Sequence, residues 1–225
     1  MSKNRFARRS VSAGIALLML SLLLSRPAKG AEVVITVTGT LAGGNDYLGV
    51  FGIGRVMPAG TPYTLVFTVD DTKGQAFPSP QCSNSGSGFG GVRGASPVTA
   101  VLIVGKKSFE FGRRPDAHSK TWRTIASRCS ASEIGMEIME AQYPLQMGVS
   151  IRVAPWPGAP SLTQDGNWRS ALTVSNVYAR NTFNHFVITQ PGNNTGGTES
   201  YLLVSTVTIG GAKPASSTPG STAAR

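Results

Sequence analysis

PYTLVFTVDD, residues 62–71, alternates apolar and polar or β-branched side chains with a period of two. Tyr63, Leu65, Phe67 and Val69 fall on one side of an extended chain, and Thr64, Val66 and Thr68 on the other. A helix of period 3.6 would scatter those four large residues around its circumference, whereas a strand lines them up on one face. The β-branched residues suit a pleated backbone, and Asp70-Asp71 closes the run with turn-forming side chains. This stretch is a strand.

The same period recurs along the chain. EVVITVT (32–38) is β-branched almost throughout, and VTAVLIV (98–104) and SFEF (108–111), joined through Gly105, read as a hairpin. LQMGVSIRV (145–153), SALTVSNVY (170–178), TFNHFVIT (182–189) and YLLVSTVTI (201–209) continue in the same style. Turn clusters at 155–158, 164–167 and 191–194 separate them. Many short strands between turn signals predict an all-β fold, a single antiparallel β-sandwich of jelly-roll or Ig-like kind over residues 31–209. Residues 130–141 carry two patterns: a capping box from Ser130 to Glu133 with helical spacing, and strict alternation through Ile134, Met136 and Ile138. Gly135 weakens a helix, so strand is the expectation.

LAGGNDYLGVFG (41–52) resembles one copy of a calcium-binding nonapeptide when Asp46 is set on the acid. Leu41 and Ala42 stand where its first glycines belong, and no second copy supplies the remaining oxygen ligands. The stretch is expected to be a turn between strands, with no metal and no cofactor.

The ends read differently from the middle. Residues 1–30 hold six bases and no acid, a 12-residue apolar run from Ala13 to Leu24, and small residues at Ala28 and Gly30. These are the three parts of a secretory signal peptide cleaved after Gly30, with no membrane span left after cleavage. The full chain carries 21 bases and 11 acids; without the leader it keeps 15 bases against those 11 acids, or +4. The remaining bases are scattered, which argues against a nucleic-acid partner. Residues 210–225 hold no large apolar side chain and are expected to be disordered. An exported protein, secreted or periplasmic, with Cys82 and Cys129 as its only cysteines, is expected to join them in a disulfide. The 47-residue separation gives such a link a chain-entropy value of roughly 4 kcal/mol.

VTGT (37–40), a Gly-containing turn with Asp46, GVFG (49–52) and the PYTLVFTVD strand resemble the opening of a loose group of exported bacterial β-rich proteins. CSASEIGMEI (129–138) and GNWRSALTVSNV (166–177) are similar to later segments of that group. The resemblance implies export and β-architecture, and it brings no activity or catalytic residue with it.

Chemistry-bearing residues are sparse. His118 and His185 are the only histidines. Asp116, His118 and Ser119 crowd together in sequence, but adjacent strand residues point to opposite faces, which argues against a triad there. His185 reads as a strand residue with a satisfied ring. Glu133, Glu137 and Glu140 would cluster only on a helix. Trp122, Trp156 and Trp168 lie in or beside loop-like segments and are the candidates for stacking on a ligand. The expectation is a non-enzymatic module with a binding or structural role, its partner a glycan or another surface protein. The alternative is an exported carbohydrate-active or other hydrolase working through paired carboxylates.

Overall fold

The computed structural model describes residues 31–78, 86–91, 96–114, 116–124, 132–142, 145–155, 160–163, 165–175, 177–179, 184–189, 196–210 and 213–214. The expected leader, Cys82, Cys129 and Trp156 lie outside them.

Among the described residues the protein is all-β, without a helix. The strands of the first half are β1 (Ala31–Asp46), β2 (Val56–Met57), β3 (Pro62–Asp70), β4 (Gln75–Pro78), β5 (Gly86–Gly91), β6 (Val98–Val104), β7 (Lys107–Phe111) and β8 (His118–Thr124). The second half adds β9 (Glu133–Gln142), β10 (Leu145–Ala154), β11 (Leu172–Ser175), β12 (Tyr178–Ala179), β13 (His185–Ile188), β14 (Thr198–Ile209) and β15 (Lys213–Pro214). The ambiguous segment at 130–141 is thus a strand from Glu133 onward. Lys213–Pro214, inside the segment expected to be disordered, pairs with Ala31 and Glu32.

All pairings are antiparallel and join the strands into one sheet, in the order β4-β5-β8-β9-β10-β13-β14-β1-β3-β6-β7. The predicted sandwich has two sheets; the described residues form one, curled into a half-barrel. The curl brings β6 back against β8 and β9, and β7 against β10, so a single sheet encloses its own core. Val33, Ile35, Leu65, Phe67, Leu102, Ile138, Val149 and Ile151 fill the inside, essentially without exposure. Each such side chain contributes about 1.5–3 kcal/mol by leaving water. The period-two spacing supplies the inward phase that fills this core.

Side chains complete the seam where the sheet meets itself. The Ser119 hydroxyl of β8 accepts the Val98 N–H at the start of β6 at 3.1 Å. Glu140 of β9 accepts the Gly112 N–H just past β7. A loop is held at one strand end by a buried charge. Arg123 donates to the Thr163 hydroxyl at 2.9 Å and to the carbonyls of Asn167 and Ser170 at 3.1 and 3.0 Å. That loop carries Trp168 into the core. The neighbouring Arg169 lies over the Trp168 ring at 4.5 Å and bonds Asp71.

Candidate functional site

Following the register from Thr198 through Ile188, Met147 and Glu140 places Asp46 at the other end of the strands from Arg123. Asp46 is buried and accepts four hydrogen bonds. Val50 N–H and the Thr198 hydroxyl reach one carboxylate oxygen at 2.8 Å each. Phe51 and Gly52 N–H reach the other at 3.0 and 2.9 Å. The loop after β1 is thereby wrapped around its own first side chain, and Phe51 is set edge-on against Phe186 in the core, ring centroids 5.6 Å apart. The stretch that resembles a calcium nonapeptide is a loop organised by a carboxylate that faces N–H groups, and both of its oxygens are occupied by donors.

Just before Asp46, β1 departs from regular pairing with β14. Leu41 pairs with Leu202 and Gly44 with Ser200, so Ala42 and Gly43 together stand against Tyr201 alone. This is a β-bulge, the device by which a strand bends and re-aims a neighbouring side chain. Two glycines make it feasible. Gly43 has φ of 104°, which an L side chain resists, and a Cβ on Gly44 would lie 2.1 Å from the Glu199 carbonyl oxygen. Because neither glycine fills the outer surface, the bulge opens a groove of about 230 Å³ lined by Gly43, Gly44, Asn45, His185, Glu199 and Tyr201 among others.

The register explains which groups face it. On the outer side of the sheet Asn45 stands opposite Glu199, and Tyr201 opposite His185. Tyr201 is 57% exposed as a residue, and its ring centroid lies 6.5 Å from that of His185 at a tilt of 52°. The His185 ring differs from the satisfied one the sequence predicts: its Nδ1 is buried with no hydrogen-bond partner among the described residues. No lysine or arginine lines the groove among the described residues.

Exposed apolar groups collect around this place. Five large apolar side chains are exposed among the described residues: Tyr47, Val56, Ile103, Tyr201 and Leu203. Val56 pairs with Asn45, Leu203 lies two residues along β14 from Tyr201, and Tyr47 packs over Gly196 just past the Asp46–Thr198 pair. Only Ile103 stands elsewhere.

Of the tryptophans, Trp122 and Trp168 are buried, and Trp156 lies outside the described residues. Trp122 lies in β8, 7% exposed, against Gly135, where a Cβ would sit 2.1 Å from its ring. Its indole N–H donates to Glu133 at 2.6 Å, and Arg152 pairs with the same carboxylate. Trp168 is 1% exposed. Neither buried ring presents an open face. The glutamates separate because their segment is a strand: Glu133 and Glu137 take the outer phase and Glu140 the inner one. Burial pushes the Glu140 carboxyl above the usual range, and Asp116 adds to this. The N–H groups of Gly112 and Arg113 and the charge of Arg114 pull the other way. Ser119 faces inward and His118 does not, so the crowded Asp116–Ser119 sequence does not assemble a triad.

Sequence reasoning missed Tyr201, Glu199, Asn45 and the rim around them. Alternation in TESYLLV (198–204) does place Tyr201 on the solvent phase, which was the available signal. The bulge that gives it a groove depends on a partner strand 157 residues away, as the Ser200 hydroxyl bond to the Gly43 carbonyl illustrates. No protein-family model matches the chain, and neither do the curated proteins or the solved structures.

Proposed function

We propose that the protein is an exported, non-enzymatic β-module with a binding role at the cell surface or in the periplasm, and that the groove beside the β1 bulge is where it binds. In this reading residues 1–30 are removed on export. One observation carries it: the exposed Tyr201 lines a groove with Asn45, His185 and Glu199, and three of the other four exposed large apolar side chains among the described residues, Tyr47, Val56 and Leu203, stand at neighbouring positions outside its lining. Exposed apolar clusters rimmed by polar groups mark binding surfaces. The groove is smaller than the roughly 300–1,000 Å³ of a pocket that encloses a whole drug-sized ligand, so it suits one ring-sized group of a larger partner. The test is a glycan array combined with a broad hydrolase screen on the mature chain. Binding without turnover is the expected result, and turnover would defeat the proposal.

A hydrolase working through paired carboxylates is the second reading. The buried Glu140, with its carboxyl raised by burial and by Asp116, favours it. Turnover abolished by Glu140→Gln in a folded protein would establish it.

A further inference from the structure

We infer that the groove beside the β1 bulge takes a neutral saccharide unit, an inference that rests on the binding role proposed above and names its ligand. The chemistry of the lining selects this class. Tyr201, an exposed residue, offers its ring to the apolar C–H face of a sugar. Asn45, Glu199 and His185 surround it with planar groups that donate to and accept from hydroxyls. Open, half-solvated grooves of this kind leave hydroxyls outside the contact free to remain hydrated.

Charge narrows the choice further. The mature chain has more bases than acids, yet the described residues lining the groove include one carboxylate and neither Lys nor Arg. Phosphate, sulfate and carboxylate groups are recognised through Arg, Lys or clustered N–H groups. Here an anion would meet Glu199, with neither Lys nor Arg among the described lining residues. An acidic glycan is therefore disfavoured by repulsion from Glu199, and a neutral one is not. The backbone supports the same conclusion: the bulge is fixed by Ser200 bonding the Gly43 carbonyl at 2.8 Å, so the floor is in place before ligand arrives, which limits the ordering cost of a weak, ring-sized contact.

The test titrates ¹⁵N-labelled mature protein with neutral oligosaccharides built on glucose, galactose, mannose and N-acetylglucosamine. Oligogalacturonate and a sulfated galactan fragment are the acidic counterparts. The expected result is saturable shifts at Asn45, Glu199 and Tyr201 with at least one neutral probe and none with the acidic ones. Tyr201→Ala should weaken the neutral probe about tenfold or more, and Glu199→Gln should keep neutral binding while admitting the acidic probes. Acidic probes binding wild type as well as or better than neutral ones would overturn the inference. Shifts at the groove with a peptide but with no saccharide would overturn the ligand class and leave the binding role standing. Saturable shifts confined to another face would overturn both.

Discussion

The Thr198 hydroxyl donates to the Asp46 carboxylate at 2.8 Å across 152 residues of sequence. This bond ties the last long strand to the loop that follows the first, at the end of the sheet where the groove opens. Asp46 is therefore expected to matter for folding before it matters for any ligand.

Asp46→Ala would leave three backbone N–H groups and the Thr198 hydroxyl without their acceptor. The expected loss is about 3 kcal/mol or more, since each buried donor left unmade costs roughly 1–3 kcal/mol. Chemical denaturation measures it, and Thr198→Val should cost less because the three N–H bonds remain. Calcium should leave the melting temperature of wild type unchanged. A saturable upward shift that Asp46→Ala abolishes would contradict this assignment.

Arg123→Met should unpin the loop that carries Trp168, since three groups on that loop lose their donor at once. We expect a loss of about 3 kcal/mol or more from a buried hydrogen-bonded charge network. Tryptophan emission should shift to the red as Trp168 meets water. Arg123→Lys should not rescue it, because one ammonium cannot span the positions that the guanidinium fork reaches. Unchanged emission and stability in Arg123→Met would refute the pinning role.

Glu140 makes a pH prediction of definite sign. Its carboxyl is raised in the fold, chiefly by burial. Between the ordinary glutamate value and the raised one, the folded protein holds more protons than the unfolded chain. Stability from this group therefore falls as pH rises through that interval. Hydrogen bonds from Thr72 and Lys73, which outweigh partial burial, hold the Asp70 carboxyl low. Asp165 is held low by Ser170 and Asn167. Both contribute the opposite trend at lower pH, and both cancel in a comparison of variants. Glu140→Gln should thus gain stability relative to wild type as pH rises from about 4.5, followed by calorimetry across pH. A relative loss over the same range would refute the assignment.

Cys82 and Cys129 lie outside the described residues, each in the sequence next to a described strand. Gly86 pairs with Thr124 in the antiparallel β5–β8 ladder. Cys82 precedes Gly86 by four residues and Cys129 follows Thr124 by five, so both segments leave the same end of one strand pair. A Cys82–Cys129 disulfide is the expected outcome, with a value of roughly 4 kcal/mol. Mass spectrometry after alkylation of unreduced, unfolded protein checks it, and two alkylated thiols would rule it out.

How much the sequence reveals depends on the range of each interaction. Strands are readable because their signal is local: Tyr63, Leu65, Phe67 and Val69 are buried in the alternation their spacing predicts. The strand at Glu133–Gln142 follows from the same reasoning, with Gly135 present because Trp122 lies where its side chain would be. Whether the strands form one sheet or two depends on pairings such as Ile35 with Ile209, which no local pattern encodes. Asp46 reads as a turn residue because turn chemistry spans two or three positions, whereas its acceptor role reaches Gly52 and Thr198. The tryptophans read as stacking candidates because they lie in or beside loop-like segments, yet Trp168 is carried inward by a loop held through Arg123. Tyr201 sits in an ordinary strand, and only a bulge in its distant partner turns it into a wall of a groove.

The most direct measurement of the central claim is the affinity of Tyr201→Ala for whichever array glycan binds wild type. Circular dichroism would show that the fold is retained, since the ring is exposed and bears no core contact that the sheet requires. Weakening by about 2 kcal/mol is expected, as at a hot spot, with unchanged strand signal. Full retention of affinity in the folded variant would contradict the assignment of the groove.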